Sequence, residues 1–356
     1  MFKTKKLIAI DIGSSSIKVV EIVGHPNNTS MKNFALDLLP EGSIVNGIIV
    51  DGAAVTQVLK RIIAQLGAKG RRASISVSGS GVMLKKISVS NVANATINDQ
   101  VQSQAAESFQ LDLAEMYFDY VEMGREHEQA ESVDVLLVGA RREVIEQYIS
   151  IVKGAGLEIG AMEASAISVA NMFEANYGTM NDLVALVSIG ASHLQVGFVE
   201  RGRFLFSQEM PVGGDQYTNL IMQSMNAKRD AAEQMKILAS TNPAAITPEL
   251  QRIIDETNTL IANDIRQCIA FFHSSPEGNE AGPLKYCFLT GGASRTLHLD
   301  SVIASTIRVP VHFANPFQRI QITAKNFQTE QIAEIGAMVS CAVGLGMRLL
   351  DDKVAV

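Results

Sequence analysis

Asp11, Gly13, Ser14, Ser15 and Lys18 lie close together in the stretch Leu7-Ile-Ala-Ile-Asp-Ile-Gly-Ser-Ser-Ser-Ile-Lys-Val-Val-Glu21. A turn of glycine and small hydroxylated residues between two β-branched runs points backbone N–H groups into one concavity, and such a nest holds phosphate oxygens. Glycine serves where the phosphate comes closest, because a larger side chain would block the approach. A carboxylate at the end of the first run can orient waters on Mg²⁺, a cation that keeps much of its own water shell. Lys18 would bring positive charge to the phosphates. A second turn of the same kind, Gly190-Ala191-Ser192-His193, and a third glycine turn, Gly291-Gly292, complete the set. A single turn of this kind is commonly just a turn. Two of them facing each other could clamp both ends of a polyphosphate.

The elements that must position these residues follow from hydrophobic periodicity. Residues 7–23 read as a buried hairpin, and residues 184–200 align on it at a constant offset of 177, with Gly190 on Gly13 and Ser192 on Ser15. Two copies half a chain apart predict two related α/β lobes that face each other; chance likeness between two apolar hairpins is the alternative. Val55, Val58, Leu59, Ile62, Ile63 and Leu66 recur at helical spacing and predict a helix over 52–66. Strands are expected at 73–78, 82–89 and 133–138, a helix within the polar stretch 91–110, and another through Val144, Ile145, Tyr148, Ile149 and Val152. The second half reads as a polar helical portion 225–236, a break at 242–248, a helix over 249–272, a loop over 274–283 and a strand at 286–290. A last helix over about 329–350 carries small residues (Gly336, Ala337, Ser340, Ala342, Gly344, Gly346) that permit close packing against another helix.

Composition excludes several classes. The 356 residues correspond to roughly two domains or one duplicated architecture. With 47% hydrophobic and 19% charged residues the chain can fill real cores, so it is not disordered. The balance of 30 basic against 37 acidic residues, −7 in all, weighs against a general nucleic-acid binder or a polybasic membrane anchor. Cys268, Cys287 and Cys341 are odd in number and form no C-x-x-C pair, which reads as buried thiols in a reducing compartment. The histidines at 25, 127, 193, 273, 298 and 312 lack the spacing of a hydrolytic zinc site. The basic segment Met1–Lys6 is followed by an apolar run that Asp11 cuts short, and residues 332–350 include Glu334. Neither reaches the roughly 20 apolar residues a membrane helix needs, so a cytoplasmic protein is expected, reaching a membrane only if a partner recruits it. Walker A and Gly-x-Ser-x-Gly motifs are absent, and the glycines at 154, 156 and 160 miss the dinucleotide fingerprint by one residue.

These motifs resemble the actin-like ATPase superfamily. Within it the chain is similar to the PilM family of type IV pilus assembly, relatives of FtsA. The likeness runs nearly end to end through Val45-Asn-Gly-Ile-Ile-Val-Asp51, Gly139-Ala-Arg-Arg142, Met210-Pro-Val-Gly-Gly-Asp-Gln-Tyr-Thr218, Ala232-Glu233-x-x-Lys236, Gly291-Gly292 and Asn315-Pro-Phe317. It implies a two-lobed actin-like α/β fold with a small inserted subdomain. The first lobe (1A) would comprise 1–81 and 161–180 with part of the helix 329–350, and the insert (1C) 82–160. The second lobe (2A) would comprise 181–225 and 282–350, and a helical subdomain (2B) 226–281.

The resemblance also implies ATP or ADP with Mg²⁺ in the cleft. Asp11, Gly13, Ser14, Ser15 and Lys18 would form the first phosphate loop, with Asp11 holding the metal through water, and Gly190, Ala191 and Ser192 the second. Gly213 and Gly214 would lie by the phosphates or ribose, Glu233 and Lys236 by the ribose and adenine, and Gly291 and Gly292 under the adenosine. Glu163 would join Asp11 as a catalytic residue that positions the attacking water. An exposed helical ion pair would equally explain Glu233 and Lys236, and an acid favoured at a helix N-terminus would explain Glu163.

Two departures stand out. Ser188 occupies the place where the second loop usually begins with Asp, which removes one carboxylate from the metal side and implies slow hydrolysis or none. The stretch Glu107-Ser-Phe-Gln-Leu-Asp-Leu-Ala-Glu115 lacks the proline of the family's Ile-Pro-Phe element. The function implied is a nucleotide-loaded scaffold, at most a slow ATPase. It would bind the N-terminal cytoplasmic tail of a PilN-like single-pass inner-membrane protein in a groove between insert and first lobe, and so couple the envelope complex to the pilus motor. It needs no nucleic acid and no membrane insertion of its own, and a ring or homo-oligomer is left open. The alternatives are a filament-forming ATPase of the FtsA or MreB kind, for which residues 348–356 are too short and acidic to serve as a membrane helix, and a small-molecule kinase of the same fold.

Overall fold

Ile8–Ile12 (β1) pairs antiparallel with Ser16–His25 (β2), with Ala9 opposite Val20 and Asp11 opposite Lys18. In the computed structural model, which describes residues 7–25, 28–45, 47–79, 81–90, 96–110, 112–123, 132–324 and 332–351, this hairpin founds one of two similar sheets. Met1–Lys6, Asn46, Leu111, His127, residues 329–331 of the expected last helix and residues 352–356 lie outside the described residues.

The first sheet continues through Asn28–Leu38 (β3), which pairs with β2. After the short hairpin Ile44–Val45 (β4) and Ile48–Ile49 (β5) comes the helix Gly52–Gln65 (α1). Asp51 caps α1 by accepting from the Ala54 N–H at 2.9 Å, which sets its start. Val55, Val58, Leu59, Ile62 and Ile63 form its buried face. Arg72–Val77 (β6) then returns parallel to β1.

The chain next builds a separate antiparallel sheet. Val82–Ser90 (β7), the helix Ile97–Phe109 (α2), Met116–Glu122 (β8) and Ser132–Arg141 (β9) assemble in the order β7-β9-β8. Val89, Val101, Ala105, Phe109 and Met116 help make its own core. A capping box of Thr96 and Asp99 starts α2, and Gln110 ends it in the left-handed conformation (φ 55°). The helix Arg142–Gly154 (α3) packs back beside α1, and Glu158–Ala164 (β10) completes the first sheet in the order β10-β6-β1-β2-β3. Ser165–Tyr177 (α4) leads to the second half.

The second sheet repeats the first. Leu183–Ile189 (β11), Leu194–Glu200 (β12) and Arg203–Met210 (β13) form a meander. Leu186 faces Gly197 and Ser188 faces Gln195, the pairings of Ala9 with Val20 and of Asp11 with Lys18 moved along by the same offset. The helices Gly214–Met225 (α5), Arg229–Thr241 (α6) and Pro248–His273 (α7) follow. Residues 276–280 form a short helix (α8) where composition predicts loop, because Pro276 opens the turn and the Ser275 hydroxyl caps it. Leu284–Thr290 (β14) pairs parallel with β11, and Leu299–Ile307 (α9) precedes Val311–Phe313 (β15), giving the order β13-β12-β11-β14-β15. Gln321–Ile322 (β16) returns to the free edge of β3.

The last helix, Ile332–Asp351 (α10), runs against α4 and the strands β1 and β2. Its small residues are required there. A Cβ on Gly344 would sit 1.7 Å from the Ser168 carbonyl oxygen, and one on Gly346 would sit 2.6 Å from Ile22. Val169, Phe173, Val184, Phe288, Val339 and Val343 bring elements of both halves into one core beneath the cleft. Phe173 and Tyr177 stack within it at 4.8 Å between ring centroids, and both meet Phe288 edge-to-face at 4.9 and 5.0 Å.

Candidate functional site

The two hairpin turns meet. Gly13 closes the first by donating its N–H to the Ser16 carbonyl at 3.1 Å, and Gly190 closes the second by donating to the His193 carbonyl at 2.8 Å. The Ser14 and Ser192 hydroxyls, 178 positions apart in the chain, are in direct hydrogen-bond contact. Among the described residues, the backbone N–H groups of Ser14, Ser15, Ala191 and Ser192 donate to no protein acceptor. Orphan donors gathered beside two hydroxyls are what phosphate oxygens need, so the residues present fit a phosphate group.

Asp11 and Lys18 form the floor of the first turn. Lys18 Nζ lies 3.4 Å from Asp11 Oδ2, and the Ser76 hydroxyl on β6 donates to Asp11 Oδ1 at 2.8 Å. The carboxylate keeps further lone pairs for a metal-bound water. A Cβ on Gly13 would come 2.9 Å from Lys18 Nζ, so glycine here leaves the ammonium room. On the second hairpin Ser188 replaces Asp11 and Gln195 replaces Lys18. Gln195 reaches the first lobe by accepting from the Ser165 hydroxyl at 3.2 Å.

Glycine at 213 has a backbone reason. A Cβ there would meet the carbonyl oxygens of Gly190 and Ala191 at 2.6 Å. Those same oxygens accept from the N–H groups of Gly214 (2.9 Å) and Asp215 (2.7 Å), which staples the second turn onto the start of α5. Gly291 is left-handed (φ 86°), and a Cβ there would strike the Ile189 carbonyl oxygen at 2.4 Å. Gly292 begins a short 3₁₀ turn through Arg295, and Ala293 touches the position a Gly214 side chain would take.

Glu233 and Lys236 are not the exposed ion pair their spacing allows. Lys236 is buried, and its Nζ donates to Glu233 Oε2 at 2.7 Å, to Thr218 Oγ1 at 3.1 Å and to the Gly214 carbonyl at 3.2 Å. Thr218 in turn donates to Glu233 at 2.7 Å. The pair therefore braces α6 against the first turn of α5. Glu163 is buried at the end of β10, and its Oε1 accepts from the Ser168 hydroxyl (2.7 Å) and the Asn171 amide (3.2 Å) of α4.

Sequence reasoning missed Ser76, Thr218, Glu209 and Gln195. Gln195 alone carried a signal, since the 177-residue offset sets it on Lys18. Arg229 also spans the cleft, paired with Asp215 of α5 and, at 3.4 Å, with Glu41 of the first half. Behind the turns, a cavity of about 270 Å³ is lined by Ser78, Gly79, Ser165, Gln195, Gln208 and Glu209, among others. A larger groove of about 600 Å³ runs between α1 and α3, lined by Ile49, Val50, Ala53, Thr56, Lys60, Gln147, Ser150 and Ile151. Ile48 and Val50 stand exposed at its edge.

Cys268, Cys287 and Cys341 are free thiols. Burial pushes the thiols of Cys268 and Cys287 up to about 12, so they stay protonated, and among the described residues no group of three His, Cys, Asp or Glu could hold a metal ion. Among the described residues no helix is long and apolar enough to cross a membrane.

Residues 9–350 match the family model of the type IV pilus assembly protein PilM. The chain belongs to the PilM family. Its fold superposes on a solved PilM-PilN type IV pilus biogenesis complex with a TM-score of 0.85, at 23% identity, over 98% of this chain and 99% of that one. The ethanolamine utilization protein EutJ from Carboxydothermus hydrogenoformans (TM-score 0.58, 14% identity, 98% of this chain and 90% of that one) has the same architecture. So does MreB5 of Spiroplasma citri bound to ADP (TM-score 0.53, 11% identity, 98% and 96%). The fold is thus the actin-like one. The cell division protein FtsA of Bacillus subtilis (strain 168) is 22% identical over 258 residues, 64% of this chain, and the match spans 57% of FtsA's length.

Proposed function

We propose that this PilM-family chain is a nucleotide-binding scaffold of the type IV pilus machinery that holds the N-terminal cytoplasmic tail of a PilN-like inner-membrane protein. The observation that carries the nucleotide reading is the pair of facing turns, with orphan N–H groups and touching Ser14 and Ser192 hydroxyls. ATP or ADP would lie between the halves. Asp11 would orient the waters of Mg²⁺, which supplies charge neutralisation to the phosphates when bound. Ser14, Ser15, Ala191 and Ser192 would donate to phosphate oxygens, with Gly13 and Gly190 shaping the turns and Lys18 adding charge. Gly213 and Gly214 would border the phosphates or ribose, Glu233 and Lys236 the ribose and adenine, and Gly291 and Gly292 the adenosine face. Glu163, tied to α4, would act by holding β10 in place beside Asp11 and Ser76. Turnover is at most slow.

The subdomains 1A, 1C, 2A and 2B are proposed with the boundaries given above. With those boundaries the groove between α1 and α3 lies between 1A and 1C; apolar residues (Ile49, Val50, Ala53, Ile151) share its lining with Thr56, Gln57, Gln147, Ser150 and the exposed Lys60, a mixed lining suited to an extended tail with a few apolar anchors. The insert is also tied to the second half. Lys86 lies 2.8 Å from Asp134 within its sheet, while Arg203 of β13 lies 3.7 Å from Asp134 and Glu280 of α8 3.5 Å from Lys86. A change in the angle between lobes would therefore reach the groove. The protein would stay in the cytoplasm and become peripheral to the inner membrane through this tail. Anisotropy of a fluorescent tail peptide tests the reading: saturable binding lost in Ala53→Arg supports it, and no binding by the wild type overturns the scaffold role.

A further inference from the structure

His193 follows the second phosphate turn, and its ring stands between that turn and the half-buried carboxylate of Glu209. Nδ1 lies 2.8 Å from Ser192 Oγ, and Nε2 lies 3.6 Å from Glu209 Oε1. Glu209 Oε2 accepts from the Gly79 N–H at 3.0 Å, whereas Oε1 is buried with no hydrogen-bond donor among the described residues. The ring edge packs on Gly47, where a Cβ would sit 3.0 Å from Cε1. The groups facing the imidazole are thus Ser192 and through it Ser14, Glu209 from β13, and the backbones of Gly47 and Gly79. Beyond them Tyr148 of α3 stays protonated, pushed far up by burial and by the charges of Asp11 and Glu209.

We propose that a phosphate group entering between Ser14 and Ser192 protonates His193, so that nucleotide binding takes up a proton. The inference rests on the nucleotide reading above. A phosphate oxygen only accepts, so the single hydrogen of Ser192 turns to it and Ser192 offers Nδ1 a lone pair. A neutral imidazole has one N–H. Placed on Nδ1, it leaves the Nε2 lone pair facing the Glu209 carboxylate; placed on Nε2, it leaves Nδ1 lone pair to lone pair with Ser192. Only the imidazolium donates to Ser192 and at the same time turns a positive N–H edge to the Glu209 carboxylate 3.6 Å away, and the negative phosphate favours it further. The proton comes from solvent onto a ring nitrogen, and no other bond changes. Charged His193 then pairs with Glu209, whose other oxygen already holds Gly79 of the first half.

The sign follows from linkage. Over the pH range where loading adds a proton to the chain, each pH unit of rise weakens nucleotide binding by up to about tenfold. Calorimetric titration of Mg-ATP into the full chain, in buffers of different ionisation heat from pH 6 to 8, counts the protons. The wild type is expected to take up a fraction of a proton more than His193→Gln, which still binds, less tightly; the difference cancels the nucleotide's own protonation. In ¹⁵N-histidine spectra, the resonance missing from His193→Gln should move to its imidazolium position when Mg-ATP is added. Equal proton counts in the two proteins, or a His193 resonance that stays in place on saturation, overturns the proposal and leaves the nucleotide site standing. Failure of the wild type to bind Mg-ATP overturns both.

Discussion

Lys18 and Gln195 hold the same place in the two hairpins, each directly across the strand pair from the residue at the metal-side position, Asp11 in one and Ser188 in the other. The first hairpin therefore presents an ammonium and a carboxylate, and the second presents an amide and a hydroxyl. In the proposed site, this two-fold architecture with one-sided charge would hold phosphate through its nests on both sides but orient metal waters from one side only.

Slow chemistry follows from that asymmetry. Single-turnover assays with Mg-ATP should show little hydrolysis by the wild type and faster hydrolysis by Ser188→Asp, since one well-placed electrostatic group is commonly worth about 10²–10³ in kcat. Brisk turnover by the wild type, abolished in Asp11→Ala, would show that Ser188 is no handicap.

Ligand protection tests the first turn. At a hundredfold excess over Kd, Mg-ATP should stabilise the wild type by about 2.7 kcal/mol. Gly13→Val, whose side chain would press on Lys18 Nζ, should melt at the same temperature with and without nucleotide.

The Lys236 brace gives a stability prediction. Lys236→Met removes the ammonium donor from Glu233 Oε2, Thr218 Oγ1 and the Gly214 carbonyl and should cost about 1–3 kcal/mol by denaturant titration, besides weakening nucleotide binding. Glu233→Gln should cost less, because Glu233 is partly open to solvent and its amide still accepts. Equal, negligible losses from both would return the pair to an ordinary surface contact.

Glu21 should hold its charge to lower pH than an ordinary glutamate. Burial opposes its ionisation, but the hydrogen bond and charge of Arg71, 3.0 Å away, with the Asn33 amide, outweigh it and hold the carboxyl below the usual glutamate range. A lowered pKa contributes stability that is complete above about pH 4.3, the ordinary glutamate value, and is lost as pH falls through the folded value. Glu21→Ala takes the carboxylate from Arg71, which keeps the Leu7 carbonyl at 3.2 Å, and should cost about 1.5–3 kcal/mol at neutral pH, the range of a hydrogen bond to a charged group, with a shallower loss of stability below about pH 4. Parallel stability-versus-pH curves for the two proteins would contradict this.

How much of this was legible in the sequence depended on burial. The hairpins at Asp11 and Ser188 stood out because their strands are buried on both faces and repeat at one offset. By contrast β13 escaped notice because every one of its residues is half-buried, so no alternation marks it. The strand β8, Met-Tyr-Phe-Asp-Tyr-Val-Glu, lies at a sheet edge with its outer face wet. Small residues in the last helix announced close packing but not its partner, α4. Lys236 looked like half of a surface pair because only tertiary contact with Gly214 and Thr218 buries it.

The central claim is that the cleft between the hairpins governs the groove between α1 and α3. The measurement that tests it most directly is the affinity of the partner's tail peptide for the full chain with Mg-ATP, with Mg-ADP and without nucleotide. Coupling through the Lys86–Asp134–Arg203 contacts predicts that the three affinities differ, by about fivefold or more between the ATP-bound and empty states, and that Asp134→Ala narrows the gap. Identical affinities in all three states would contradict the account.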